Sequence, residues 1–448
     1  MSSNNSNNKK TIFCVYGIIV LLLIAANVRA FSETETEAPK PTGMGVEAGR
    51  AIAAVKDRRA EEAYEKRNAE ITPWAEGSIP HNPVNAALLY YQAFLLRPEL
   101  NGAISFKIHD VVFSGVEPDR QVRTYLGYCL DVIEIVEIAS RMPHCIWGIW
   151  PEHQLRHTAV GHELGRIAEI LLVDARTLAA DGHYRVALER CLTVQRITLH
   201  LNEDPEMFTL NTYNWSLETI RDLLGIMPPN VDILSWFRGQ LGVAKEATPN
   251  FAEFFLQTHI ESVLKDIRIN PLYLVNLRNL LVEQASDEQA KKNARNLTDE
   301  QLLLRIDEGL KSLIDPIFTV LDSERTHKQK LNQMQQLINE LTEADHADPL
   351  NKPVLINIAN MEELINRGYK SHVWHLAHIN CIKAAVEVYL VVAKTGRLPE
   401  RLPEHLPKDP TTGRDFVYEI TNEGFVLRCQ DEDFLDHRSI KLEFKVKK

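Results

Sequence analysis

The chain contains no Cys-x-x-Cys pair, no Gly-x-Ser-x-Gly, no phosphate-binding Gly-x-x-x-x-Gly-Lys and no Gly-x-Gly-x-x-Gly. These absences remove the local signatures of zinc ribbons, hydrolase nucleophile elbows, P-loop nucleotide hydrolysis and dinucleotide binding. A catalytic triad assembled from distant segments leaves no such trace. Cysteine is sparse, at 6 residues in 448. Cys14 lies in an apolar run, and Cys129, Cys145, Cys191, Cys381 and Cys429 are an odd remainder, which excludes a disulfide framework and leaves room for one bridge after export. Glycine (20) and proline (21) are modest, and β-branched runs are scarce outside the last fifty residues, so the composition leans to helix. No arginine-rich stripe with interleaved aromatics occurs, and the net charge is -11. An acidic chain repels phosphate backbones, and no nucleic-acid partner is expected. What is present is ordinary for a globular protein with packed cores: 45% hydrophobic and 25% charged residues.

The N-terminus carries the strongest local signal. "MSSNNSNNKK" ends in Lys9 and Lys10, and "TIFCVYGIIVLLLIAANV" follows without a charge for 18 residues. That length fits two readings, a signal peptide with Val28-Arg29-Ala30 near its cleavage site or a transmembrane anchor, over residues 1–30. In both, the lysines hold the start in the cytoplasm and the remainder lies across the membrane. Lys9, Lys10 and Arg29 are the only charges among the first 30 residues, and removing them takes the net charge to -14. Residues 31–84 read as a tether, "SETETEAPKPTG", and a charged helix from about Val46 to Asn68 that "ITPWAEGSIPHNP" ends.

Residues 85–382 read as helical throughout. "VNAALLYYQAFLLRPEL" is one helix, and "DRQVRTYLGYCLDVIEIVEIASRM" is another, with Val122, Leu126, Leu130, Ile133, Val136 and Ile138 mostly three or four apart. A helix starting at Pro151 and ending near Ala180 is followed by a short turn and a second amphipathic helix, which makes an αα-hairpin. In it Ala175, Gly182, Tyr184 and Ala187 fall at the spacing of a tetratricopeptide repeat, where small residues let paired helices approach. Ala86, Tyr90, Ala93 and Pro98 repeat the second-helix spacing upstream. The expectation is irregular tetratricopeptide-like helical hairpins. Breaks are expected at Pro228-Pro229, Pro249, Pro271, Pro316 and Pro349, and "RTHKQKLNQMQQLINELTEA" reads as a peripheral polar helix.

The last residues, 383–448, change character. "RDFVYEI" and "FVLRCQ" flank "TNEG" as a hairpin, and "SIKLEFKVKK" alternates, with Ile440, Leu442, Phe444 and Val446 on one face. A small C-terminal α+β module with an antiparallel sheet is expected on an otherwise mainly α chain. In residues 383–437 a helix ends at a Gly-x-x-Pro turn and a Leu-Pro-x-Asp-Pro segment leads into the sheet; Gly396, Leu398, Pro399, Leu406, Pro407, Asp409, Pro410, Gly413, Phe416 and Tyr418 carry the pattern. This segment resembles the C-terminal module of the type II secretion major pseudopilin. With the helical part, the chain resembles a group of uncharacterised exported bacterial proteins that join an N-terminal apolar segment, tetratricopeptide-like hairpins and this tail. The resemblance implies an architecture and no reaction. The pilin processing site, Gly-Phe with a Glu five residues on, does not precede the apolar run.

Four clusters invite chemistry. "HTAVGHELGR" opens like a zinc-protease motif with His162-Glu163, but the second ligand position is Arg166, whose guanidinium has no lone pair for a metal. Leu164, Ile167, Leu171, Ala175 and Leu178 define the apolar stripe, His162 lies opposite, and Glu163 and Arg166 read as a surface i,i+3 pair. His153 and His157, four apart, share the stripe without a third ligand. "SHVWHLAHINC" offers His372, His375, His378 and Cys381, but steps of three drift about 60° around a helix, so four ligands do not converge from one straight helix. Asp431, Asp433 and Asp436 in "QDEDFLDH" read as a solvated acidic loop; calcium there is what the pseudopilin resemblance implies, without the Gly and bidentate Glu of an EF-hand.

No catalytic, cofactor-binding or metal residue is therefore assigned. The expected function is a non-enzymatic, exported, membrane-anchored helical scaffold or protein-binding module. The alternative is a cell-envelope enzyme, a hydrolase or metalloprotein, with a site in the helical domain. The expected partners are the membrane, through the N-terminal segment, and a protein or peptide, with no identified small molecule.

Overall fold

The computed structural model describes residues 43–73, 85–147, 154–202, 210–246, 271–285, 287–345, 352–431 and 440–446. The chain divides into a unit ending at Arg59 and one beginning at Ala60. The expected N-terminal signal or anchor, Pro249 and Pro349 lie outside the described residues. The fold is mainly α with one small antiparallel sheet near the C-terminus, as the composition and the terminal alternation predict.

Helix α1 (Gly43–Glu70) crosses the boundary between the units. Its last turns, in the second unit, bury Ala60, Tyr64 and Asn68, spaced by four on one face. α2 (Ala86–Leu96) starts where the Asn85 side chain accepts the Ala87 amide, and it packs Ala86, Tyr90 and Ala93 against α5 (Leu130–Ser140). α3 (Gly102–Ser114) lies between an Asn101 cap and Gly115 in the left-handed conformation, and packs on the helix Gln154–Ala180. The helix expected over residues 119–142 is divided: α4 (Arg120–Tyr128) ends in a turn at Cys129 before α5 begins. Val122, Leu126, Ile133 and Val136 are buried on both sides of that turn, so one apolar pattern serves two helices. Gly127 in α4 has a steric reason. A Cβ there would stand 2.0 Å from the carbonyl oxygen of Ala60, so only glycine lets α1 and α4 touch backbone to backbone.

α6 (Gln154–Ala180) and α7 (Tyr184–Asn202) form the expected hairpin. Gly182 has φ +86°, its amide bonds the Ala179 carbonyl at 3.0 Å, and the His183 amide bonds Leu178 at 2.8 Å, which closes the end of α6. Leu164, Ile167, Leu171, Ala175 and Leu178 are all buried, as is Ala187 across the hairpin. α8 (Leu210–Ile226) stacks on α7, and α9 (Val231–Glu246) follows an Asn230 cap.

α10 (Pro271–Gln284) begins at a proline, where the missing N–H costs nothing. α11 (Glu288–Asn296) leads to α12 (Asp299–Leu321), which opens with a Thr298/Gln301 capping box. The break expected at Pro316 does not occur, because α12 continues through it and the following turn buries Ile317, Val320 and Leu321, which offsets the lost backbone bond. α13 (His327–Asp345) lays Leu331, Met334 and Ile338 toward α14 (Lys352–Thr395). The span Tyr369–Thr395 of α14 is long and apolar enough to cross a membrane, yet 67% of its most apolar stretch is buried inside the protein, and it serves as a core helix.

Strands β1 (Val417–Ile420), β2 (Gly424–Arg428) and β3 (Lys441–Lys445) pair antiparallel in sequence order, with Phe425 opposite Phe444 and Leu427 opposite Leu442. Ile440, Leu442 and Phe444 are buried, the predicted face. Phe425 and Phe444 stack at 4.9 Å, the Tyr389 hydroxyl of α14 donates to the Lys445 carbonyl at 2.5 Å, and Gly225 of α8 lies beside Lys445 of β3. The sheet thus packs on α8 and α14.

Candidate functional site

Around His162 the expected surface pair is not the contact that forms. His162 is exposed, and Glu163 is bonded by the Arg97 guanidinium at 2.8 and 3.1 Å, so the expected Glu163–Arg166 pair is replaced by a bridge to the end of α2. A forked guanidinium holding one carboxylate oxygen outcompetes an intrahelical i,i+3 contact. His153 and the His157 side chain lie outside the described residues.

A highly charged buried cluster lies farther along the same helix. Asp174 and Arg190 each stand eight residues from Gly182, on opposite arms of the α6–α7 hairpin, so the antiparallel fold sets them face to face. Asp174 is 0% exposed and Arg190 3%. Arg190 Nε bonds Asp174 Oδ2 at 2.7 Å, and its Nη1 bonds Glu137 of α5. From α1, Arg67 forks onto Asp174 at 2.6 and 3.3 Å while the Tyr64 hydroxyl donates to Oδ1 at 2.8 Å. Burial raises the Asp174 carboxyl, but Arg67 and Arg190 outweigh it and hold the group below its ordinary value. Burial lowers the Arg190 guanidinium, which Asp174 and Glu137 more than restore. The Tyr64 hydroxyl is pushed well up, by burial first and then by the Asp174 charge. Two carboxylates and two guanidiniums balance, and both Asp174 oxygens are fully occupied by donors. The cluster ties α1, α5, α6 and α7 together and leaves no coordination position on Asp174 for a metal or substrate. A charge of each sign at equal distance from the turn, inside apolar runs, was the readable signal for it.

A second polar node joins α2 to α7. The Tyr90 hydroxyl bonds His200 Nδ1 at 2.9 Å, His200 Nε2 bonds the Met142 carbonyl at 2.9 Å, and Trp147 donates to the His200 carbonyl at 3.1 Å. A carbonyl only accepts, so Nε2 carries the proton and Nδ1 accepts from Tyr90. Ala86, Tyr90 and Ala93 are buried there as core residues.

The histidines of α14 are the third cluster. His372, His375, His378 and Cys381 lie on one helix and are all buried, although steps of three carry them around its axis. His375 Nδ1 bonds the Asn214 side-chain oxygen of α8 at 3.0 Å and packs on Tyr213 at 4.4 Å. His378 packs edge-on against Trp374 at 5.2 Å, and both its ring nitrogens lie buried without a hydrogen-bond partner. His372 lies 6.5 Å from His327 of α13, whose Nδ1 bonds the Tyr369 hydroxyl at 2.7 Å. Burial pushes His372 and His375 down to about 3 and His327 and His378 to about 4, with neighbouring cations or imidazoles adding to it, so all four are neutral at pH 7. Burial likewise raises the Cys381 thiol far above its ordinary value. Among the described residues, no three His, Cys, Asp or Glu side chains converge as a metal site. The five described cysteines, Cys129, Cys145, Cys191, Cys381 and Cys429, are all buried.

No family model, no curated protein and no solved structure matches the chain. The local geometry therefore stands alone.

In the tail, Asp409 is buried and accepts from the Thr411 amide at 2.9 Å, the Thr411 and Thr412 hydroxyls at 2.6 and 3.2 Å, and the Gln430 amide at 2.8 Å. Its role is to fix the turn that feeds β1. Asp431 is engaged by Lys328 of α13 at 2.8 Å, while Asp433 and Asp436 lie outside the described residues.

Proposed function

We propose that the chain is an exported, N-terminally membrane-tethered helical scaffold that binds a protein partner. The observation that carries this reading is the outward face of α2. Leu88 and Leu95, 58% and 74% exposed, are seven residues apart on one side of the helix, with Leu96 beside them. Ile146, 69% exposed, adjoins the helix start, where its backbone is held by Asn85. The inner face of the same helix is closed by Ala86, Tyr90 and Ala93 on α5, so the outer leucines are presented on a rigid support. An apolar strip of this kind on a scaffold of paired helices fits the apolar face of an amphipathic partner helix, and the net charge of -11 favours a basic polar face on it.

The test is binding of a synthetic basic amphipathic helix to the full chain, followed by fluorescence anisotropy over a salt series. Saturable binding that weakens with salt and is lost in Leu88→Glu/Leu95→Glu, while His162→Ala binds as the parent does, supports the scaffold. Binding that ignores the leucine pair defeats it. Stoichiometric zinc or iron in the purified protein would favour the enzyme alternative instead. The export component is tested by a C-terminal reporter, expected to be active only outside the cytoplasm.

A further inference from the structure

The terminal sheet is fastened to α14 at two places. In one, Tyr389 lies edge-on to Phe425 at 5.5 Å. In the other, residues 408 and 409 link helix and strand: the Asn380 side chain donates to the Lys408 carbonyl at 2.9 Å, and the Gln430 amide donates to Asp409 at 2.8 Å. A cysteine adjoins each of those donors, Cys381 after Asn380 and Cys429 before Gln430. Phe425, Leu427 and Cys429 alternate onto the inner face of β2 and its extension, and all three are 0% exposed, as is Cys381. From Tyr389 back to Cys381 the helix rises about 12 Å, and from Phe425 on to Cys429 the strand advances about 13 Å. The two spans match, so the contact that begins at Tyr389 and Phe425 ends with Cys429 over Cys381. The Asp409 carboxylate lies beside both sulfurs: it accepts from the Cys429 thiol and its charge acts on each, while Cys381 acts on Cys429. Cys129 and Cys191 have other neighbours, Tyr125 for the first and Arg176 and Asp222 for the second.

We propose that Cys381 and Cys429 form a disulfide once the chain is in an oxidising compartment, and that this bond ties the terminal sheet to α14. Its formation in the cell rests on the export reading, whereas the choice of partners rests on the fold alone. The oxidant is a small or protein-borne disulfide. One cysteine thiolate attacks it and releases a first reduced thiol, and the second cysteine attacks the protein sulfur of the mixed disulfide and releases the other. Two protons and two electrons leave the cysteines for the oxidant, and one S–S bond replaces another. Burial first, and then the Asp409 charge, raise both thiols far above their ordinary value. In the folded chain neither sulfur ionises or meets an oxidant, so the bond forms while the tail is still docking. Once closed it resists reduction for the same reason, because the leaving sulfur would depart as a thiolate beside Asp409. The partners are 48 residues apart along the chain. Closing a loop of that length lowers the unfolding constant by about a thousandfold in the chain-entropy account.

The experiment refolds the reduced full chain from urea into detergent with a mixture of oxidised and reduced glutathione. Remaining thiols are alkylated under denaturing conditions and the peptides mapped by mass spectrometry. The expected result is a Cys381–Cys429 linkage in most molecules, with Cys129, Cys145 and Cys191 alkylated. The same mixture in urea should give that linkage at less than about a tenth of the level, because the fold supplies the proximity. Cys381 and Cys429 both alkylated, either of them joined to another cysteine, or a linkage equally abundant in urea would each overturn the pairing. Should the chain not refold, cell-free synthesis into detergent with the same glutathione mixture replaces that step and is read in the same way. A C-terminal reporter active in the cytoplasm would overturn the export reading and leave a linkage formed in vitro standing. Absence of the linkage in vitro overturns the pairing wherever the reporter is active.

Discussion

Arg190 is the residue whose removal should cost the body of the protein most. Its guanidinium is buried between Asp174 and Glu137, and it bonds both. In Arg190→Met the apolar stem is replaced almost atom for atom, so the packing of α7 is kept and the loss is electrostatic. Asp174 retains Arg67 and Tyr64, but Glu137, itself buried, loses the guanidinium that faces it. Breaking a buried pair by deleting one partner costs about 3–5 kcal/mol, because the other charge stays in a medium that solvates it poorly. For a body of this size that is roughly 6–10 °C in thermal midpoint, taking about 2 °C per kcal/mol. The assay is urea unfolding and calorimetry of the purified chain. A second substitution, Glu137→Gln, should recover part of the loss in the Arg190→Met background while lowering stability on its own. That sign reversal is the signature of a disturbed charge balance around Glu137, on which Arg196 also acts, and not of a packing defect. If Arg190→Met unfolds within about 1 kcal/mol of the parent, the cluster is not a structural tie and the account given for Asp174 fails with it.

Two further outcomes are expected. Gly127→Ala should destabilise by about 1–3 kcal/mol, despite the better helix propensity of alanine, because its Cβ has no room against the Ala60 carbonyl; a variant that melts at or above the parent would refute the close helix crossing. His378→Leu should stabilise by about 1–3 kcal/mol at neutral pH, since it removes two buried nitrogens with no partner. The folded protein holds this histidine down to about 4, so its contribution is complete above the ordinary value and falls away as the pH drops toward 4. The advantage of the leucine should therefore widen in acid, as pH-dependent urea titrations would show, and a destabilised variant would mean that His378 holds a partner.

Much of the fold was legible before any coordinates. The buried stripe from Leu164 to Leu178, the glycine turn at 182 and the terminal strand with Ile440, Leu442 and Phe444 inward follow from periodicity and turn chemistry, which are local and survive in one dimension. The same local rules failed where packing decides. Pro316 continues a helix, because the turn after it is buried, and the helix expected across Cys129 divides there, beside the crossing that Gly127 permits.

The candidate sites split along the same line. Composition and spacing alone determined that Arg166 rules out a zinc-protease pair and that histidines three apart on one helix do not converge. Only the tertiary structure decided what those residues do instead. Glu163 answers to Arg97, 66 residues away, Asp174 to Arg67, 107 away, and His375 to Asn214, 161 away. Sequence periodicity says which face of a helix is buried and nothing about what it is buried against. A charge or an imidazole on that face acquires its protonation state from neighbours that only the fold brings within bonding distance.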